Sequence, residues 1–291
     1  MKLTGRAVLV FFGMLVTAAP GFGGQALAGT QARQHRDAAA LQELVLRDGS
    51  RLYGAVERET DDEIVFRTQA GAVMTVRRAD VVSLRGVTGA FVDGEFWRGD
   101  PNPTRLFFTS TGRALGRGHV TAGVYGIVIP FVQVGVTDRF SIGGGSPLVF
   151  GFGEGWDRPF WVTPKLQVYS GERADVAVGT LHIFTGGSGG GGIAYGVGTF
   201  GRRDTSITVG AGMTYTGFDG GGGVVMIGGE RQVSRSMKLL TENYIWSGGH
   251  GIASAGVRFF GERLSADIGF AVPVGADMFF LFPVVNFVYV W

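Results

Sequence analysis

Residues 264–275 read LSADIGFAVPVG, and their alternation decides the fold. Leu264, Ala266, Ile268, Phe270, Val272 and Val274 fall on one side of an extended chain. Ser265, Asp267, Gly269, Ala271, Pro273 and Gly275 fall on the other. Successive side chains of a strand point to opposite faces, so this segment has one oily face and one small or polar face. In 206–217, Ile207, Val209, Ala211, Met213 and Tyr215 likewise oppose Thr208, Gly210, Gly212, Thr214 and Thr216. Val162, Pro164, Leu166 and Val168 oppose Thr163, Lys165, Gln167 and Tyr169 in the same way. A soluble sandwich alternates too, but its strands run to about five or six residues. These runs take about 9–13, the length of a tilted bilayer crossing.

The punctuation agrees. Asp138-Arg139, 171–175 (GERAD), Arg202-Arg203-Asp204, Ser234-Arg235-Ser236 and Gly261-Glu262-Arg263 are charged turns, each with an arginine. Between them lie mostly glycine-rich links at 151–160, 186–192, 218–223, 248–251 and 275–277. Two rims of different chemistry, visited in strict alternation, are what an up-and-down barrel produces. Counting crossings gives about 12, starting near residue 119. The first two are separated only by Ile129-Pro130, so 10 is the alternative.

Composition narrows the class. Glycine makes up 52 of 291 residues, and 39 of those lie after residue 100. Charged residues are 17%, against roughly 25% in soluble domains. With no cysteine there are no disulfides, thiolate metal sites or thiol nucleophiles. The net charge of +2 does not suggest a nucleic-acid partner.

Residues 1–28 have the parts of a secretory signal. Lys2 and Arg6 precede the apolar run 7–18, and Ala26-Leu27-Ala28 gives a small-x-small cleavage pattern. Residues 29–40 read as a polar tether. Residues 41–86 show five short strands broken by Asp48-Gly49, Asp61-Asp62-Glu63, Ala70-Gly71 and Arg78-Ala79-Asp80. Residues 87–118 read as a connector, because Pro101 and Pro103 oppose a regular strand. Within it, Leu106–Phe108 is placed either in the barrel mouth or against its periplasmic rim.

The turn and strand spacing of 41–86 resembles a small SH3-like or Sm-like barrel. In Sm-type proteins that implies RNA stacking, for which only Tyr53 and Phe66 are available here, and an exported chain meets no RNA. The end of the chain, Phe287-Val288-Tyr289-Val290-Trp291, resembles that of Gram-negative outer-membrane β-barrel proteins. The resemblance covers about 119–291. It implies that Val285, Phe287, Tyr289 and Trp291 are read by the barrel-assembly machinery. The expectation is therefore an all-β chain in the bacterial outer membrane. It comprises a transmembrane up-and-down antiparallel barrel preceded by a small five-stranded SH3-like barrel. Expected partners are outer-membrane lipid, the assembly machinery and a periplasmic protein at 41–86. Nucleic acid, cofactors and metals are not expected.

Candidate sites are few. Gly196–Gly201 fits G-x-G-x-x-G, but that motif works only between a strand and a helix, and here it continues a strand. Gly186–Gly190 (GGSGG) fits G-x-S-x-G without an elbow's hydrophobic frame. His35, His119, His182 and His250 have no metal-ligand spacing. Ser247 and His250 are the only pair able to imitate an outer-membrane lipase, and glycines surround them. The strand 238–246 (KLLTENYIW) is the least ordinary. A carboxylate facing lipid is unfavourable, so Lys238, Glu242, Tyr244 and Trp246 are assigned to the lumen. Lys165, Arg258, Asp267 and Asn286 complete the expected lining. Two roles stay open: a plugging salt bridge from Glu242 to Arg258 or Lys165, or a polar constriction that filters solutes. Neither implies an enzyme.

Overall fold

The computed structural model describes residues 41–148, 159–185, 190–217, 219–275 and 280–291. The signal and tether assigned to 1–40, the Ser188 motif and most of the 151–160 loop lie outside the described residues. The described chain forms two compact units, 41–99 and 100–291.

The first unit holds β1 (Gln42–Leu46), β2 (Arg51–Glu59), β3 (Glu63–Thr68), β4 (Val73–Arg77) and β5 (Val81–Gly86). They form one antiparallel sheet in the order β4-β3-β2-β1-β5. A single 3₁₀ turn, Arg78–Asp80, links the two edge strands. Leu44, Ile64, Phe66 and Val76 make its core. The unit continues past residue 86 into a hairpin, β6 (Gly89–Val92) and β7 (Glu95–Arg98). Asp93 and Gly94 take positive φ at its tip, as a two-residue hairpin loop requires. Tyr53 stacks on Phe96 with ring centroids 4.3 Å apart and meets Phe91 edge-on at 5.9 Å, and Phe66 is buried.

Glu43 anchors this unit. Its side chain has no solvent exposure and accepts hydrogen bonds from Arg51 (3.0 Å), Tyr53 (2.9 Å) and Arg85 (2.9 Å). Burial opposes ionisation, but Arg85, Tyr53 and Arg51 together hold the carboxyl below its ordinary value. A depressed carboxylate contributes stability above its unfolded pKa of about 4.3 and loses it as pH falls through the lower folded value.

In the second unit, twelve strands close into an antiparallel barrel. They are β8 (Val120–Tyr125), β9 (Ile129–Gly135), β10 (Phe140–Gly145), β11 (Phe160–Ser170), β12 (Ala174–Phe184) and β13 (Gly191–Gly201). Then come β14 (Thr205–Thr216), β15 (Asp219–Ser234), β16 (Met237–Trp246), β17 (Gly251–Phe260), β18 (Leu264–Val274) and β19 (Phe282–Val290). Pairing of β19 with β8 completes the ring. The count is 12 rather than 10. Strands β8–β10 are shorter than expected, at 6 or 7 residues. The first hairpin turns at Gly126-Ile127, both at positive φ, so Ile129 and Pro130 belong to β9.

The barrel is inside out. Ile268 is 51% exposed on its outer face, with Ile207, Leu239, Phe259, Phe270 and Phe287 exposed in the same way. The neighbours Thr208, Lys238, Arg258, Asp267 and Asn286 are buried within. An apolar exterior around a polar interior is the pattern of a bilayer-spanning barrel. At the rim away from the chain's end, Phe160 stacks on Phe184 (4.5 Å) and the His182 ring meets the Tyr215 hydroxyl at 2.9 Å. These form part of an interfacial aromatic girdle.

Two predictions follow from this architecture. Ile268→Arg, at mid-height on the outer face, should cost about 2–4 kcal/mol of folding free energy in vesicles, and Leu264→Arg at the strand end about 0–1. Urea titration of both variants checks it, and equal losses would contradict the assigned depth. Acid titration of the full chain, followed by fluorescence of Trp97, should show the 41–99 unit losing stability below about pH 4.3, with Glu43→Gln flattening that dependence. A steeper acid dependence in the variant would contradict the role given to Glu43.

Candidate functional site

The barrel does not enclose water alone. Residues 100–118, read from sequence as a connector, belong to the barrel unit and fill its lumen. The segment turns back on itself: Leu106 N–H donates to Thr109 O (2.9 Å) and Thr111 N–H to Thr104 O (2.9 Å). Its tip, Leu106-Phe107, is fully buried against Ala177, Ile193, Val197, Val224, Met226, Leu240 and Val284. Of the two placements read from sequence for Leu106–Phe108, the interior is the one observed. Small wall residues make room for it. A Cβ at Gly228 of the wall would lie 2.4 Å from Leu106 Cδ1, and one at Gly112 of the segment itself would lie 2.1 Å from Asp175 O of the wall.

Side chains of the wall satisfy the segment's main chain. Lys165 Nζ donates to the carbonyls of Thr104 (3.4 Å), Thr111 (3.1 Å) and Arg113 (2.8 Å). Arg258 donates to those of Asn102 (2.8 Å), Arg105 (3.2 Å) and Leu106 (2.6 Å). Asn286 Nδ2 takes Phe107 O at 3.0 Å, and Gln167 Nε2 takes Gly112 O at 3.0 Å. In the other direction, Gly112 N–H donates to Thr199 Oγ1 (2.9 Å). Phe108 and Thr109 N–H donate to Glu242 Oε2 at 3.1 and 3.2 Å.

The expected salt bridge from Glu242 to Arg258 or Lys165 is not formed. The partners of Glu242 are the two tip amides and the hydroxyls of Thr109 and Tyr244. Arg258 instead grips Asp267 through Nε (2.6 Å) and Nη2 (3.1 Å), and Asp100 through Nη1 (3.0 Å). Lys238 pairs with Glu230 (2.9 Å) and Asp100 (3.4 Å). Geometry explains the difference. Lys238 and Arg258 are register partners near the rim that holds the chain's end, whereas Glu242 lies further along β16 toward the other rim.

Three ionic residues of the segment, which sequence reading passed over, complete the site. Asp100 joins the Arg258 and Lys238 pairs. Arg113 meets Glu230 and donates to Arg202 O (2.9 Å). Arg105 donates to Gln133 (2.8 Å), contacts the Tyr125 hydroxyl and lies over the Phe131 ring at 4.2 Å. The cations Arg105, Arg113, Lys165, Lys238 and Arg258 equal in number the acids Asp100, Asp175, Glu230, Glu242 and Asp267. The formal charges of the filled lumen therefore balance. Ion pairs join Asp100, Arg113, Asp175, Glu230, Lys238, Arg258 and Asp267, whereas Lys165 and Glu242 meet neutral groups and Arg105 Nε is buried without a partner.

The remaining expected lining, Tyr244 and Trp246, lies above the tip and packs against the apolar cluster. Of the residues read as an assembly signal, Phe287 and Trp291 are exposed on the outer face and Val285 and Tyr289 are half-buried. Ser247 and His250 do not assemble a pair. Ser247 Oγ accepts from Gly223 N–H (3.1 Å), and the His250 ring meets Gly275 O (2.8 Å). Among the described residues no group of three or more His, Asp or Glu side chains could hold a metal ion.

Removing one member of a buried charge pair is far costlier than removing a charge that faces neutral groups. Arg258→Met strands Asp267 and should cost about 3–5 kcal/mol. Lys165→Met leaves only carbonyls without a donor and should cost about 1–3 kcal/mol. Denaturation midpoints of the two purified variants test the order, and a reversed order would contradict the pairing described.

No family model and no curated protein matches the sequence. Among solved structures the chain is similar to the KdgM porin, with a TM-score of 0.45 and 7% identity, covering 59% of this chain and 96% of that one. It is also similar to OmpT, an outer membrane protein of Vibrio cholerae, with a TM-score of 0.34 and 15% identity, covering 87% of this chain and 95% of that one. A closed ring of twelve strands, oily outside and charged within, gives this chain the architecture of a transmembrane β-barrel of the outer-membrane type.

Proposed function

We propose that the protein is a non-enzymatic outer-membrane channel, closed at rest by its own residues 100–118, which passes small solutes when that segment leaves the lumen. One observation carries this reading. Lys165, Glu242, Arg258 and Asn286, the groups that would line an open pore, are all bonded to the segment. With the segment in place there is no polar constriction for a solute to meet. With it withdrawn, the same side chains become the constriction. A purely structural envelope role is the second reading, favoured by the density of those bonds, and under it the segment never leaves. A lipid-modifying activity needs a histidine held against a serine, and Ser247 and His250 are each bonded elsewhere.

The proposal extends to three partners. Outer-membrane lipid covers the apolar exterior, and the assembly machinery reads Val285, Phe287, Tyr289 and Trp291. A periplasmic protein engages the 41–99 unit, which is joined to the plugging segment at Gly99-Asp100.

The triple variant D100N/R105Q/R113Q loosens the segment and leaves the wall unchanged. Each charged hydrogen bond contributes about 1.5–3 kcal/mol. A net loss of about 3 kcal/mol would raise the open fraction about a hundredfold. In planar bilayers the wild type should show rare openings and the variant frequent ones. A folded, heat-modifiable variant that stays silent would favour the structural role.

A further inference from the structure

The wall recognises its occupant in an unusual way. Lys165, Gln167, Arg258 and Asn286 donate to main-chain carbonyls, while Thr199 and Glu242 accept from main-chain N–H groups. Every polypeptide carries those groups, whatever its sequence. A lumen built to filter sugars or ions has no need to meet both kinds of main-chain group, the carbonyls of 102, 104–107 and 111–113 and the N–H groups of 108, 109 and 112. The side-chain preferences are equally specific in kind. The apolar cluster takes the Leu106-Phe107 pair, Gln133, Thr121 and Tyr125 take the guanidinium of Arg105, and Glu230 takes that of Arg113.

We propose that the lumen is a peptide-binding site, and that the class of molecule it takes is a short peptide with an apolar or aromatic pair flanked by basic residues. Residues 100–118 are then the site's built-in occupant. The proposal rests on the segment being displaceable, as the channel reading requires. A covalently attached occupant competes at a millimolar effective concentration. A free peptide therefore binds measurably only at similar concentration, or when the segment has been loosened.

The test uses the full-length D100N/R105Q/R113Q variant in planar bilayers and a synthetic peptide with the sequence of residues 102–113 (NPTRLFFTSTGR). The peptide should close the channel in a concentration-dependent way. The same peptide N-methylated at the positions of Phe108, Thr109 and Gly112 should need about tenfold more, because those N–H groups meet Glu242 and Thr199. Equal potency of the two peptides, or no block by either, overturns the proposal while leaving the channel reading intact. If the loosened variant never conducts, the channel reading fails, and a second measurement still decides. In the full chain carrying Thr109→Cys with the same three substitutions, the thiol is the only one present. Millimolar peptide should displace the segment and increase its labelling by a water-soluble maleimide several-fold. Unchanged labelling at every peptide concentration overturns the proposal.

Discussion

A main-chain amide buried without a partner costs as much as a lost hydrogen bond, and the structure of the barrel interior follows from that constraint. Residues 102–113 pass through the lumen with only two main-chain bonds joining the two arms, at Leu106–Thr109 and Thr104–Thr111. Their remaining carbonyls and N–H groups have no strand beside them. The wall must therefore present donors and acceptors, and it does so at Lys165, Gln167, Thr199, Glu242, Arg258 and Asn286. Inward charges that would be costly in an empty apolar cavity become fixed hydrogen-bonding posts. The ion pairs, Arg258 with Asp267 and Lys238 with Glu230, hold those posts in place and keep the interior neutral.

Much of the barrel was legible because a strand writes its faces into every second residue. Leu264–Val274 shows this most clearly: Ile268 is outside and Asp267 inside, as the alternation requires. Arginine-bearing turns marked one rim and gave about 12 crossings with 10 as the alternative, and the closed barrel has 12. The short opening strands were harder to bound, because Gly126 and Ile127 carry the turn that Pro130 seemed to mark.

The plugging segment was not legible in the same way. Residues 100–118 have no period of 2 or 3.6, and their structure is dictated by side chains from 16 to 179 positions later in the chain. Glu242 is buried in the lumen, and its partners are the hydroxyls of Thr109 and Tyr244 and two backbone amides, which leave no mark in a sequence. A usable signal did exist. Lys165, Lys238, Arg258, Asp175, Glu230, Glu242 and Asp267 all point inward from a barrel poor in charge, and three cations against four acids leave the wall with one acid in excess. Such a surplus implies an occupant. Asp100, Arg105 and Arg113 are the charges in the preceding stretch that answer it.

The hairpin shape of the segment also sets how it responds to force. Both of its ends lie at the rim that holds the charged turns, with the tip reaching Glu242 and Asn286 inside. A load applied at Asp100 therefore peels the segment, opening the Asp100 ion pairs first, then the Asn102 and Thr104 contacts, and the tip later. Rows of hydrogen bonds opened one after another yield at lower tension than the same bonds sheared together. The 41–99 unit is attached at the end from which peeling starts. A tug on that unit acts as a rip cord, while pressure from the opposite mouth would have to break the whole set at once. On the proposed channel reading, the segment would yield more readily to a pull at Asp100 than to a push from the opposite mouth.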